Sequence, residues 1–181
     1  MHRVDMDEFS NPMYWRVWNN MQSLIDRGLD PLQILIDRAH EKNMKFYASF
    51  RMGTYEALAN LETDDVNRFI SADPSNGGDG LADPLVRNKQ LKLFHELVEN
   101  YDIDGLELDF ACHPGGAAPY LIEDNVVQFT PTITDYVGDI RDMIKTSGKD
   151  IVLGARVYPS EKMNLRFGID LRRWIDNQVV D

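Results

Sequence analysis

The sequence predicts a parallel α/β fold, and within that class part of a (β/α) barrel of the TIM type. Three observations carry this. Helical and strand patterns alternate along the chain. Connections that follow strands are long and rich in Gly and Pro, whereas those leading from helix to strand are short, as in Asn100 to Ile103 and Gly148 to Ile151. Each strand also carries a polar or charged residue near its C-terminal end, where such a barrel assembles its site.

Met1 to Pro12 is acidic, polar and irregular. Met13 to Arg27 reads as a helix in which Trp15 and Trp18 cover core, ended by Gly28. Asp30 caps a second helix with Pro31 at its first position. Leu32, Leu35, Ile36 and Ala39 give it three-and-four spacing, and it ends near Asn43. His40 sits at its C-terminal end, where a cation suits the helix dipole. Met44 to Met52 is the first strand: Phe46, Ala48, Phe50 and Met52 share one parity, and Lys45, Tyr47, Ser49 and Arg51 the other. Asp83-Pro84 starts a helix running to about Asn100, with Leu91, Phe94, Leu97 and Val98 apolar. Ile103 to Phe110 is the second strand, Leu106, Leu108 and Phe110 opposing Gly105, Glu107 and Asp109. Pro131 to Thr146 is helical, with the stripe Ile133, Val137, Ile140 and Ile144. Ile151 to Tyr158 is the third strand, and Gly168 to Asn177 one further helix. Val179-Val180-Asp181 reads as the opening of another strand. Three strands cannot close an eight-stranded barrel, so residues 1–181 are expected to be part of a single (β/α)8 domain, about half of it. The alternative is a small open α/β sheet complete in itself.

Composition narrows the function. The 181 residues suit one domain, and 43% apolar content is enough for a core. Thirty acidic against 19 basic residues leave a net charge of −11, which repels phosphate backbones, so no nucleic-acid partner is expected. No apolar run approaches the ~20 residues that cross a bilayer, so no membrane insertion is expected. MHRVDMDEFSNP has no apolar h-region and reads as no signal peptide. A soluble chain of unassigned compartment follows. A single cysteine, Cys112, excludes an internal disulfide and a cysteine zinc cage. The glycines at Ser75–Gly80 lack the Lys-Ser/Thr of a phosphate loop, and no nucleophile elbow is present.

The apolar strand parities must pack on helices, so the other parities face the lumen. They hold Ser49 and Arg51, Glu107 and Asp109, and Arg156 and Tyr158. Buried charge is costly unless paired or used, which marks this convergence as the functional signal. Glu107 and Asp109 are two residues apart, roughly 6.5 Å along a strand. Glu107 lies one layer deeper and reads as a structural partner of Arg51 or Arg156. Asp109 lies at the mouth and reads as nucleophile, acid or base, or else as a loop anchor accepting from the Cys112–Gly116 backbone. The arginines can hold these carboxylates ionised or bind substrate hydroxyls or carboxylates. A general acid must keep its proton, so two nearby guanidiniums favour Asp109 as nucleophile or electrostatic stabiliser. The acid would then be Glu161 or lie on a missing strand. His113 reads as a loop residue contacting substrate or as a plain surface histidine. With Glu107 and Asp109 it makes a weaker metal candidate, lacking a ligand signature.

Asp102–Phe110, DIDGLELDF, looks like the fourth-strand motif of glycoside-hydrolase barrels, Asp-Gly-x-x-x-Asp. Together with DPLQILIDRAH (Asp30–His40) and GARVYP (Gly154–Pro159), it resembles the glycoside-hydrolase-like family ten domain, over about residues 14–181. The resemblance implies a (β/α)8 hydrolase of O-glycosidic bonds with a catalytic role for Asp109. Chitinases end this strand with Asp-x-Glu, whereas Phe110 and Ala111 follow Asp109 here, so substrate-assisted chemistry of that type is not implied.

The expected function is therefore a glycosidase acting on an oligosaccharide or polysaccharide without a cofactor. Asp109 and then Glu107 are the catalytic candidates. Arg51, Arg156, Tyr158, His113 and Ser49 line the substrate site, and Tyr158, Tyr55 and Tyr120 are able to stack on sugar faces. A non-catalytic carbohydrate-binding barrel and a metal-dependent hydrolase are the alternatives. An incomplete barrel leaves two sheet edges open. The isolated chain is accordingly expected to self-associate, and a monomeric, cooperatively melting species in gel filtration and calorimetry refutes this.

Overall fold

A computed structural model describes residues 12–53, 73–74, 78–111 and 126–181. The chain divides into two compact units, Met1–Phe46 and Tyr47–Asp181. In the first, α1 (Pro12–Asp26) and α2 (Pro31–Glu41) touch each other. The helix α1 is followed by Gly28 at φ +72°, a conformation glycine adopts without steric cost. The Asp30 carboxylate caps α2 by accepting from the Leu32 and Gln33 amides at 2.8 and 3.3 Å. Ile36 and Ala39 are its buried residues, and Trp18 is half-buried.

The second unit holds a three-stranded parallel sheet in the order β1 (Tyr47–Arg51), β2 (Gly105–Asp109), β3 (Val152–Arg156). Each strand is shorter than the apolar pattern suggests. Between β1 and β2 lie a 3-10 turn (Gly80–Ala82) and α3 (Pro84–Asn100). The helix α4 (Val126–Ser147) precedes β3, and α5 (Glu161–Arg166) and α6 (Leu171–Asp176) follow it. Asp83 caps α3 through the Leu85 amide at 2.8 Å, Ser160 caps α5 through Met163, and Asp170 caps α6 through Arg173. At the far end of α3, the Lys149 ammonium donates to the Glu99 and Tyr101 carbonyls at 3.1 and 3.2 Å, placing a cation where the helix dipole favours one.

Two helix assignments differ from the sequence pattern. The described part of α4 starts at Val126, so Pro131 lies inside it. Proline there removes one bond of the opening turns, that to the Val127 carbonyl, and the Thr130 hydroxyl donates to the neighbouring Val126 carbonyl at 2.6 Å. The helix expected over Gly168–Asn177 is present as α6, Leu171–Asp176, and a further short helix, α5, which the sequence pattern does not predict, precedes it. Gly168, at φ +78°, separates them, and Ser160 starts the earlier one.

The core confirms the apolar strand parity. Leu106, Leu108, Phe110, Leu153 and Met52 are buried with Phe94, Ile133, Val137 and Ile140 of α3 and α4. The rings of Phe50 and Phe94 meet edge-on at 4.9 Å, and Phe110 packs on Trp174 of α6 at 5.4 Å. The Trp174 indole is buried and donates to the Thr134 hydroxyl at 3.1 Å, which meets the need of a buried N–H for an acceptor. On the polar face, Gly105 lies opposite Tyr47, whose ring occupies the space a Cβ would need, 2.3 Å away.

The final residues run beside β3. The Asp181 amide donates to the Leu153 carbonyl at 2.9 Å, and its carboxylate accepts from the Leu153 amide at 2.8 Å. The same carboxylate forms a two-point ion pair with Arg141 of α4. The Arg141 hydrogen bond, aided by the Leu153 amide, holds the Asp181 carboxyl below its ordinary value against a smaller opposing effect of burial. A depressed folded pKa stabilises the fold above the unfolded value of 3.8 and withdraws that stability as pH falls through the folded value. Below about pH 4 the melting temperature is expected to fall more steeply in the wild type than in Asp181→Asn. Parallel melting curves between pH 5 and pH 2 make the comparison.

Candidate functional site

The site is built by register. The pairing aligns Arg51, Asp109 and Arg156 in one row and Ser49, Glu107 and Gly154 in the next. Side chains alternate across a strand, so these two rows share the face opposite the apolar core. Asp109 ends the central strand and is 3% exposed. Its carboxylate accepts from the Arg156 guanidinium at 3.1 Å on Oδ2 and from the Ala111 amide at 3.0 Å on Oδ1. Arg156 is 58% exposed, so the pair is sealed on the aspartate side and open on the arginine side. The arrangement fixes an anionic oxygen pair at the sheet end while presenting guanidinium N–H groups outward.

One row deeper, the Ser49 hydroxyl donates to Glu107 Oε1 at 2.7 Å. Glu107 is half-buried, and Ser49 and Arg51 are exposed. Glu107 thus has Ser49 as a partner, where the sequence pattern suggests Arg51 or Arg156. A loop-anchor role for Asp109 is also present through the Ala111 amide, and the Cys112–Gly116 stretch expected to donate lies outside the described residues.

Tyr158 is placed differently from the row. It lies two residues beyond β3, is 6% exposed, and stacks on Phe167 with ring centroids 4.9 Å apart. Asn164 holds its backbone from both sides, accepting from the Tyr158 amide at 2.9 Å and donating to its carbonyl at 3.1 Å. Beside it a cavity of about 230 Å³ is lined by Tyr158, Glu161, Asn164, Leu171, Arg172 and Ile175. Glu161, the candidate acid, is ion-paired to Arg172, with Oε2 accepting at 2.9 Å. The Arg172 hydrogen bond holds its carboxyl below the ordinary value, which suits a charged anchor and not a proton donor. His113, Tyr55 and Tyr120 lie outside the described residues, as does Cys112. Among the described residues, no group of three or more His, Cys, Asp or Glu side chains is placed to hold a metal ion. Nor is any described helix long and apolar enough to cross a membrane.

The chain matches the family described as Glycosyl hydrolase-like 10 over residues 9–127, and it belongs to that family. No curated protein matches it. The matched stretch includes Ser49, Arg51, Glu107, Asp109 and His113. It stops short of β3, so Arg156 and Tyr158 lie beyond it, and it is shorter than the resemblance over residues 14–181 suggests.

Arg156→Met is expected to strip a nearly buried carboxylate of a guanidinium partner, at a cost of about 1–2 kcal/mol. In an Asp109→Asn background the same change is expected to cost less, because no charge is then stranded. Urea denaturation midpoints of the four proteins measure the coupling.

Proposed function

We propose that residues 1–181 form part of one (β/α)8 barrel domain that hydrolyses O-glycosidic bonds in an oligosaccharide or polysaccharide. The observation that carries this reading is the Arg51–Asp109–Arg156 row, at the C-terminal ends of parallel strands, in a chain of the Glycosyl hydrolase-like 10 family. The family match spans the boundary between the two units, which supports treating them as one domain.

Glycoside hydrolysis passes through an oxocarbenium-like transition state flanked by carboxylates. Asp109, held in place by a guanidinium and a backbone amide, suits the charged role in that chemistry, nucleophile or electrostatic stabiliser. Glu107 is the second catalytic candidate, supported from the neighbouring strand by Ser49. Arg51 and Arg156 are placed to take substrate hydroxyls, with Ser49, Tyr158 and His113 as further substrate contacts. Glu161 is not retained as the acid, because Arg172 favours its deprotonated form. The reading needs no cofactor.

A second reading, a carbohydrate-binding barrel without turnover, is favoured by Asp109 being the one carboxylate in the end row Arg51–Asp109–Arg156. Hydrolysis of aryl glycosides and polysaccharides by the full-length protein separates the two. Asp109→Asn is expected to lower kcat by on the order of 10²–10⁴-fold while the protein stays folded. Glycan binding without turnover in the wild type establishes the second reading instead. Loss of activity in EDTA indicates the metal-dependent alternative.

A further inference from the structure

The end of β1 is held by a buried side chain that neither the row of charges nor the apolar stripe accounts for. Met52, which follows Arg51, is fully buried, and its amide donates to the Asp109 carbonyl at 3.1 Å. Parallel pairing in this register offers the Met52 carbonyl the next donor along β2, the Ala111 amide. That amide donates instead to the Asp109 carboxylate, at 3.0 Å. Asp109 therefore draws away the donor that would complete the ladder beside it.

Gln90 of α3 supplies the replacement. Its Nε2 donates to the Met52 carbonyl at 2.9 Å, and the residue is completely buried. Its Oε1 accepts from the Tyr136 hydroxyl of α4 at 2.9 Å, and Tyr136 is 1% exposed. The phenol fixes which end of the amide faces β1, since a hydroxyl donating to Oε1 leaves Nε2 as the donor. An apolar residue of similar size at position 90 would fill the same space, so what the amide adds is this directed bond.

We propose that Gln90, oriented by Tyr136, is a positioning residue of the candidate site. It replaces the ladder donor that Asp109 withdraws, and so keeps the end of β1, and Arg51 with it, aligned with Asp109. The link to catalysis rests on the glycosidase reading, whereas the positioning itself does not.

The test uses the full chain and two variants, Gln90→Met and the milder Tyr136→Phe. Amide hydrogen exchange is followed at Met52 and at Val152, whose amide bonds the Asp104 carbonyl at 3.1 Å at the opposite end of the sheet. Positioning predicts that Gln90→Met speeds exchange at Met52 by about tenfold or more with little change at Val152, and that Tyr136→Phe has a smaller effect of the same kind. Equal acceleration at both amides, the mark of a merely global loss of stability, overturns the proposal, as does an unchanged Met52. On any glycan the wild type hydrolyses, the losses in kcat/KM from Gln90→Met and Arg51→Met should overlap in the double variant. Full additivity breaks the link to Arg51. If the wild type hydrolyses none, the glycosidase reading falls and the exchange result still decides the positioning.

Discussion

A nearly water-free carboxylate at the end of the central strand sets terms that the surrounding elements must meet. Asp109 retains only 3% of its surface, and a charge so placed is tolerated when partners surround it. One partner comes from β3, as Arg156, and another from the chain's own continuation, as the Ala111 amide. Each contact has a structural consequence. The first ties the order of the sheet to an ion pair that only the parallel alignment of β2 and β3 can make. The second interrupts the backbone ladder toward β1. A buried glutamine and tyrosine from two helices then stand where the ladder stops. Site and scaffold are in this sense one network, with the helix layer reaching through the sheet to the charged end.

Much of that network was visible beforehand because it rests on alternation and caps. The split of each strand into an apolar and a polar parity needs only a period of two, and it located Ser49, Arg51, Glu107, Asp109 and Arg156 on one face. Asp83-Pro84 marked the start of α3 because a side-chain acceptor followed by proline satisfies the geometry of a first turn. Other parts depend on information that local pattern does not carry. Proline usually marks a beginning, yet α4 carries Pro131 inside its described part, at the loss of one backbone bond. Ser160 did carry a capping signal for α5, but a six-residue helix has too little periodicity to stand out. Gln90 and Tyr136 look like ordinary helix residues, and only tertiary proximity reveals their bond. Tyr158 has the lumen parity, but two residues past the strand the backbone has turned, and Asn164 and Phe167 decide where its ring lies.

The family assignment and the geometry contribute different things. The match over residues 9–127 covers the central strand and the polar row's first two columns, including Asp109. The third column, Arg156, lies outside the match and rests on strand parity and on the pairing of β2 with β3. A column outside the matched stretch that still bonds the buried aspartate shows that the electrostatic unit extends further along the chain than the family match does.

The missing side chain opposite Tyr47, at Gly105, bears on how the strands find one another. Alternation of apolar and polar residues forbids a slip of one position, since that would turn every side chain over, but it is blind to a slip of two. Size is not. In the observed alignment the Tyr47 ring rests over Gly105, where no side chain competes for the space. Moved along by two, the same ring would meet Glu107, and Arg51 would overrun the end of β2. A large residue facing an empty one thus works as a key in a lock, choosing among alignments that hydrophobicity alone counts as equal.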